Sequence, residues 1–473
     1  MMLVLAFIGF SLLPTVLGGL TLAAIEGTTP LLTRIERIFF GFLAGTVLLT
    51  YAAFMANVTI GVPFSAPGFL GIWAILTVIA GIVVKFRGAS VFPNPNPNPN
   101  PRPSPRWAQI LVGLFALSLA ARMFLGGMVA ATTPPYFDDT LNNWNIRGKL
   151  YYVTQQYTLL LPSQKPTEKP SALSAYPPML PLSKAFAATL AGTWSDGLVD
   201  AIQLLWFIAV LGVVWSALRR VTNGTWALLG ACGLGSLPLF LMQGVNAYSD
   251  IAMAAHIVAT LALLFHALRS EDHAERLGLV RLSIFLAALL PFVKNEGLVL
   301  YLPAFLFFLA ISAWHLLRHG KVTMKDIVQC IGFLACAGAL LILPWLIYKW
   351  SHGMAFGNAK EISSLTIGWQ QGVWLVVVIN GFFEGNWNLL LPLMLILLAW
   401  QWRTAFRFPL LPLTAFFLLL WIQQILLFMF TSLSYEALFQ TGYGRGMIQL
   451  MPVIVMVVTL LLVRTVDRER TTL

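Results

Sequence analysis

Long apolar runs alternate along this chain with short polar breaks. Stretches such as Trp206 to Leu218 and Ile448 to Val463 carry no charge at all. A helix needs roughly 20 such residues to cross the core of a bilayer. Backbone groups in lipid must be satisfied internally, so apolar runs of this length read as helices. About thirteen spans fit the pattern, at 2–24, 36–58, 68–85, 108–129, 198–217, 225–243, 249–268, 279–293, 297–317, 327–349, 386–402, 410–431 and 446–464. The span 279–293 is short, and the stretch GWQQGVWLVVVINGFFEG from Gly368 reads as re-entrant or interfacial. The fold class expected is an all-α, polytopic membrane helix bundle.

Two interruptions break the rhythm. Val91 to Arg106 contains FPNPNPNPNPRPSPR, a low-complexity segment expected to be extended and polyproline-like. It divides the chain into accessory N-terminal helices (1–90), a cytoplasmic linker (91–107), a functional core (108–464) and a cytoplasmic tail (465–473). The second interruption, from Ala130 to about Gly197, is too long for a simple turn. Within it, Asp139 to Tyr157 has the pattern of an interfacial amphipathic helix, with Trp144, Tyr151 and Tyr152 suited to the headgroup level. A proline-rich portion follows, through Pro162, Pro166 and Pro170.

Composition strengthens the membrane reading. The chain is 58% hydrophobic and 10% charged, and its mean hydropathy of +0.81 excludes an ordinary soluble domain. A net charge of +11 would suit nucleic acid, but the excess lies in short loops between apolar runs. There it acts as a topology signal, and no nucleic-acid partner is expected. Arg34 and Arg37, then Lys85 and Arg87, then Arg219 and Arg220 fall in every second loop, and the alternation continues to Arg464. The positive-inside rule makes that face cytoplasmic, with the N-terminus outside and the C-terminus inside a plasma (inner) membrane. The first apolar run has no basic leader and reads as a retained helix. Cys232, Cys330 and Cys336 all lie in apolar segments and read as small hydrophobes. The six histidines show no metal-ligand spacing, and no Walker A or dinucleotide-binding glycine loop occurs.

Four polar motifs remain, YFDD (Tyr136 to Asp139), NAYSD (Asn246 to Asp250), KNEG (Lys294 to Gly297) and GYGRG (Gly442 to Gly446). Each adjoins an apolar run, and the threading places all four on the non-cytoplasmic face. Asp138 and Asp139 suit a general base or a metal ligand, or simply a solvated loop start after Pro134 and Pro135. Asp250 is either a ligand or a helix N-terminal acid answering the dipole. Lys294 and Glu296 interrupt a largely apolar sequence, where ionisable groups are usually functional or paired with each other. Arg445, between two glycines, is a fork for a phosphate or a snorkelling anchor.

In order and sidedness these motifs resemble the integral-membrane glycosyltransferases of the GT-C superfamily, in particular bacterial relatives of the dolichyl-phosphate-mannose protein mannosyltransferases. The resemblance covers roughly residues 108 to 464 and includes Tyr176-Pro177-Pro178 late in the first outer loop. In that family the acidic loop usually follows the first helix, whereas here three helices precede it. The resemblance implies transfer of a sugar from a polyprenyl-phosphate donor to a glycan, lipid or protein acceptor, with inversion. Asp138 or Asp139 would act as base. Lys294 and Arg445 would meet the leaving phosphate, and Glu296 would orient Lys294 or a sugar hydroxyl. Asp250, Tyr248 and Asn246 would hold acceptor, sugar or a divalent cation such as Mg or Mn, and Tyr443 would join the substrate-binding set. Aromatic-rich helices would flank the isoprenoid tail among the membrane lipids. The rival classes are a lipid-linked sugar flippase or solute transporter, and a scaffold without chemistry.

Overall fold

The structure, a computed structural model, describes residues 1–91, 104–135, 137–160, 172–357, 365–439 and 441–466. Among these residues the chain is all-helical, 79% helix with no strand. It opens with α1 (Met2–Glu26), α2 (Arg34–Ile60), α3 (Ala66–Phe86) and α4 (Arg106–Thr132). A π-helical turn, Thr140–Asn145, leads into α5 (Ile146–Thr154), followed by α6 (Met179–Ala191). Then come α7 (Asp196–Ala201), α8 (Gln203–Arg219), α9 (Gly224–Gly235), α10 (Pro238–Val245), α11 (Ser249–Arg269) and α12 (His273–Val293). A second π turn, Gly297–Tyr301, opens α13 (Leu302–Arg318). A third, Gly338–Ile342, joins α14 (Met324–Ala337) to α15 (Leu343–Ser351). The last elements are α16 (Val373–Phe382), α17 (Leu390–Trp400), α18 (Trp402–Ala405), α19 (Leu411–Phe430), α20 (Ser434–Leu438) and α21 (Tyr443–Val466).

Among the described residues, 11 helical stretches are long and apolar enough to cross a membrane, or 12 if α9 and α10 count together. The chain is thus a multi-pass membrane protein, with fewer full spans than its hydropathy suggests. The run 225–243 bends by 76° between α9 and α10. Pro238 opens α10, and its missing N–H breaks the helical ladder there. The run 386–402 holds only the 11-residue α17, because Gly385 and Asn388 take left-handed backbone angles just before it. Between Gly368 and Gly385, the helical part is the 10-residue α16.

The bundle is built around α11, whose apolar window is wholly buried. Ala252, Ala255, Ala259 and Ala262 let α8, α12 and α21 pack closely against it. At the other extreme, α3, α4 and the α14–α15 span present side chains such as Ile75, Leu117 and Leu340 outwards, as a lipid-facing ring would. The first two helices share the main core. Phe10 of α1 lies 5.9 Å from both the Phe186 and Trp206 rings. In α2, the Tyr51 hydroxyl donates to the Leu340 carbonyl at 2.8 Å, and the Leu43 carbonyl lies 3.3 Å from His256 Nε2. Residues 1–90, expected as an accessory unit, are therefore not set apart in space. Most of the 91–107 linker and nearly all of the 465–473 tail lie outside the described residues, as do Pro162, Pro166 and Pro170.

The amphipathic helix expected over 139–157 corresponds to the π turn and α5. Trp144 and Tyr151 are buried inside the protein, on a face that Arg147 between them anchors inward. Its guanidinium donates to the Tyr176 carbonyl at 2.9 Å.

Candidate active site

Three helix ends and one loop start meet at a single corner of the bundle. Pro291 weakens the last turn of α12, and Lys294 leaves the helix in extended geometry. The following π turn redirects the chain at Gly297, where a side chain would strike the Leu290 carbonyl. Lys294 and Glu296 are thereby held just past the end of one span. Asp250 occupies the first turn of α11, where helix-end amides favour a carboxylate. Arg445 occupies the first turn of α21. Its neighbour Gly446 lies against the Gln424 side chain of α19, whose amide a Cβ there would displace.

These residues form one continuous chain of ion pairs. Arg445 Nη1 lies 2.6 Å from Asp139 Oδ2, and Arg445 Nε donates to Asp250 Oδ2 at 2.9 Å. Lys294 Nζ donates to Asp250 Oδ1 at 2.7 Å and lies 2.8 Å from Glu296 Oε1. Gln449, one turn along α21 from Arg445, adds a third donor to Asp250, with Nε2 to Oδ1 at 2.5 Å. A fully buried carboxylate is tolerable only with partners of this quality. The four motifs, more than 300 positions apart at their extremes, thus meet in one cluster.

Exposure grades the cluster from inside to outside. The Asp250 side chain is 0% exposed and Lys294 3%, whereas Arg445 is 24% and Asp139 29% exposed. Tyr248 backs the guanidinium, its ring centroid 5.1 Å from Arg445 Cζ, a cation–π distance. Burial, and then the Asp139 carboxylate, push its phenol up to about 12, so the ring stays neutral. Tyr176 borders the same group. Burial and then Glu296 raise its phenol well above the ordinary value, with smaller influences from Arg445 and Asp139.

Other expected site residues lie elsewhere or do other work. Asp138 is exposed and accepts from Asn142 Nδ2 at 2.5 Å. Asn246 donates to the Met242 carbonyl at 2.7 Å and so terminates α10. Tyr443 is 1% exposed and its hydroxyl accepts from Trp421 Nε1 at 2.9 Å, which packs it into the wall beside the cluster. Tyr136 lies outside the described residues. The divalent cation considered for Asp250 does not fit, because both its oxygens already accept from Lys294, Arg445 and Gln449. Among the described residues no three His, Cys, Asp or Glu side chains are grouped to hold a metal ion.

Two buried cations beside the site were missed. Lys349 Nζ donates to the Ala175 carbonyl at 2.6 Å and to Asn295 Oδ1 at 2.9 Å, tying the Tyr176 loop to the KNEG turn. Arg147 holds the adjoining Tyr176 carbonyl. Lys349 carried a signal, since it is a basic residue at the end of a span opposite the basic loops. Gln449 carried a weaker one, as a polar residue inside an apolar run.

No protein-family model, curated protein or solved structure matches this chain.

Proposed function

We propose that this protein is a membrane glycosyltransferase of the GT-C type. It moves a sugar from a polyprenyl-phosphate carrier to a glycan, lipid or protein acceptor on the non-cytoplasmic face of a plasma (inner) membrane. The observation that carries this reading is the convergence of Asp139, Asp250, Lys294, Glu296 and Arg445 at one corner of the bundle, a larger ionic group than the buried pairs Arg37–Glu26 and Lys184–Asp200 elsewhere in it. A half-buried carboxylate and a half-buried guanidinium stand side by side there, and a buried ionic base supports them.

The chemistry follows from those positions. Asp139, and not Asp138, is the base, since Asp139 pairs with Arg445 while Asp138 bonds Asn142. Its carboxylate takes the proton of an acceptor hydroxyl as that oxygen attacks the anomeric carbon. The bond from that carbon to the carrier's phosphate oxygen breaks, and its electron pair stays on the phosphate oxygen, leaving polyprenyl phosphate. Arg445 meets the charge developing on the phosphate. One displacement inverts the anomeric centre. Lys294, enclosed between Asp250 and Glu296, orients those carboxylates and does not reach the phosphate.

Transporters favour charged sites near the bilayer midplane. Here the acids and bases lie at helix ends, which supports the enzyme over a flippase or solute carrier. The test is to offer the protein in nanodiscs a panel of radiolabelled polyprenyl-phosphate sugars and, in parallel, nucleotide sugars, with cell-envelope acceptors present. Transfer from a polyprenyl-phosphate donor alone is expected. Donor that binds and is never turned over would put the flippase reading in its place.

A further inference from the structure

The two edges of the Arg445 guanidinium are held differently. Its Nε edge faces Asp250, a fully buried carboxylate that Lys294 and Gln449 also hold. Removing that partner would strand a buried charge, so this edge is fixed. Its Nη1 edge faces Asp139, whose side chain is 29% exposed. That pair is more open to solvent than the Asp250 contact and lacks its further partners, so of the two edges it is the one more readily exchanged. A guanidinium fork accepts a carboxylate or a phosphate with the same geometry, but two anions cannot share one edge.

We infer that the outer edge of Arg445 has two alternative occupants, the Asp139 carboxylate and the phosphate of the lipid donor. Arrival of the donor displaces Asp139 from the guanidinium and frees it to face the acceptor hydroxyl. This exchange rests on the polyprenyl-phosphate reading above. It makes the base available only when a donor is in place, which protects the site from acting without one. Lys294 is a positioning residue in this scheme. It holds Asp250, and Asp250 holds the inner edge of Arg445 still while its outer edge changes partner.

The exchange gives Asp139 an effect on donor affinity opposite to that of a simple ligand. Full-length protein in nanodiscs of neutral lipid is titrated with radiolabelled farnesyl phosphate, a short polyprenyl phosphate without a sugar. Wild type is compared with Asp139→Asn and, as a control for net charge, Asp138→Asn. Asp139→Ala is the second variant should Asn disturb folding, and monodispersity by size exclusion is checked for each. The expected result is binding about fivefold tighter for the Asp139 variants, with Asp138→Asn matching wild type. Equal or weaker binding by the Asp139 variants overturns the exchange. So does an equal gain in Asp138→Asn, which would be a general charge effect. Either of these leaves the glycosyltransferase reading standing so long as wild type binds the probe. If none of the proteins binds it, the polyprenyl-phosphate reading fails and the exchange fails with it.

Discussion

Burial alone works against a charged Lys294, but Asp250 and then Glu296 outweigh it and hold its pKa above the ordinary lysine value. The sign of the linkage follows. A group whose pKa rises on folding stabilises the fold fully below its unfolded value, and that contribution fades as pH climbs through the folded value. Lys294→Met should lower stability by about 3 kcal/mol, since it strands Asp250 among fewer partners. The gap from wild type in thermal unfolding should stay flat from neutral pH to about pH 10 and narrow only above it. A gap that narrows near neutrality would contradict the pairing. At this scale Lys294, Glu296 and Arg445 were legible because ionisable residues stand out in apolar sequence. The choice between Asp138 and Asp139 was not. Successive residues on a helical turn point about 100° apart, and only the fold shows that Asp139 meets Arg445 while Asp138 meets Asn142, one turn on.

The elements meet through small residues where polar bonds are few. Gly41 and Gly45 of α2 form a small-xxx-small stripe against Gly18 and Pro14 of α1. A methyl group at Gly45 would strike the Pro14 carbonyl, and both neighbours there are backbone. Gly45→Ala should therefore destabilise the protein by about 2 kcal/mol. A methyl group at Gly113 of α4 would meet nothing within 4 Å, so Gly113→Ala should be neutral or stabilising by about 0.5 kcal/mol. Thermal unfolding in detergent separates the two, and similar effects at both sites would refute the crossing. Most spans could be read from hydropathy, because each needs only length and apolarity. The missing ones could not: the bend at Pro238 and the turn at Asn388 depend on local backbone geometry, which an average over a window removes.

For the whole molecule, the burial of α1 and α2 carries a consequence for the N-terminal unit. Their side chains fill the same core as α6, α8 and α12, so residues 104–473 expressed alone should fail to give a monodisperse protein. Co-expression with residues 1–91 as a separate chain should restore it, because the break falls between α3 and α4, two outer helices. A stable 104–473 fragment would mean that the first helices are dispensable to the fold. A proline-rich linker suggests a boundary in sequence, but it says nothing of how the helices on either side of it pack. The convergence of the four motifs was foreseeable from sidedness, since alternating basic loops put them at one end. Their bonding partners were not, because pairing depends on which helices neighbour α11. The proposed glycosyl transfer at this cluster has Asp139 as its base. Its most direct test is the initial rate of sugar transfer from a polyprenyl-phosphate donor by wild type and Asp139→Asn in nanodiscs, with folding of both verified. Transfer by wild type and a fall of about 10²- to 10⁴-fold in the variant are expected. Equal rates would contradict that role for Asp139.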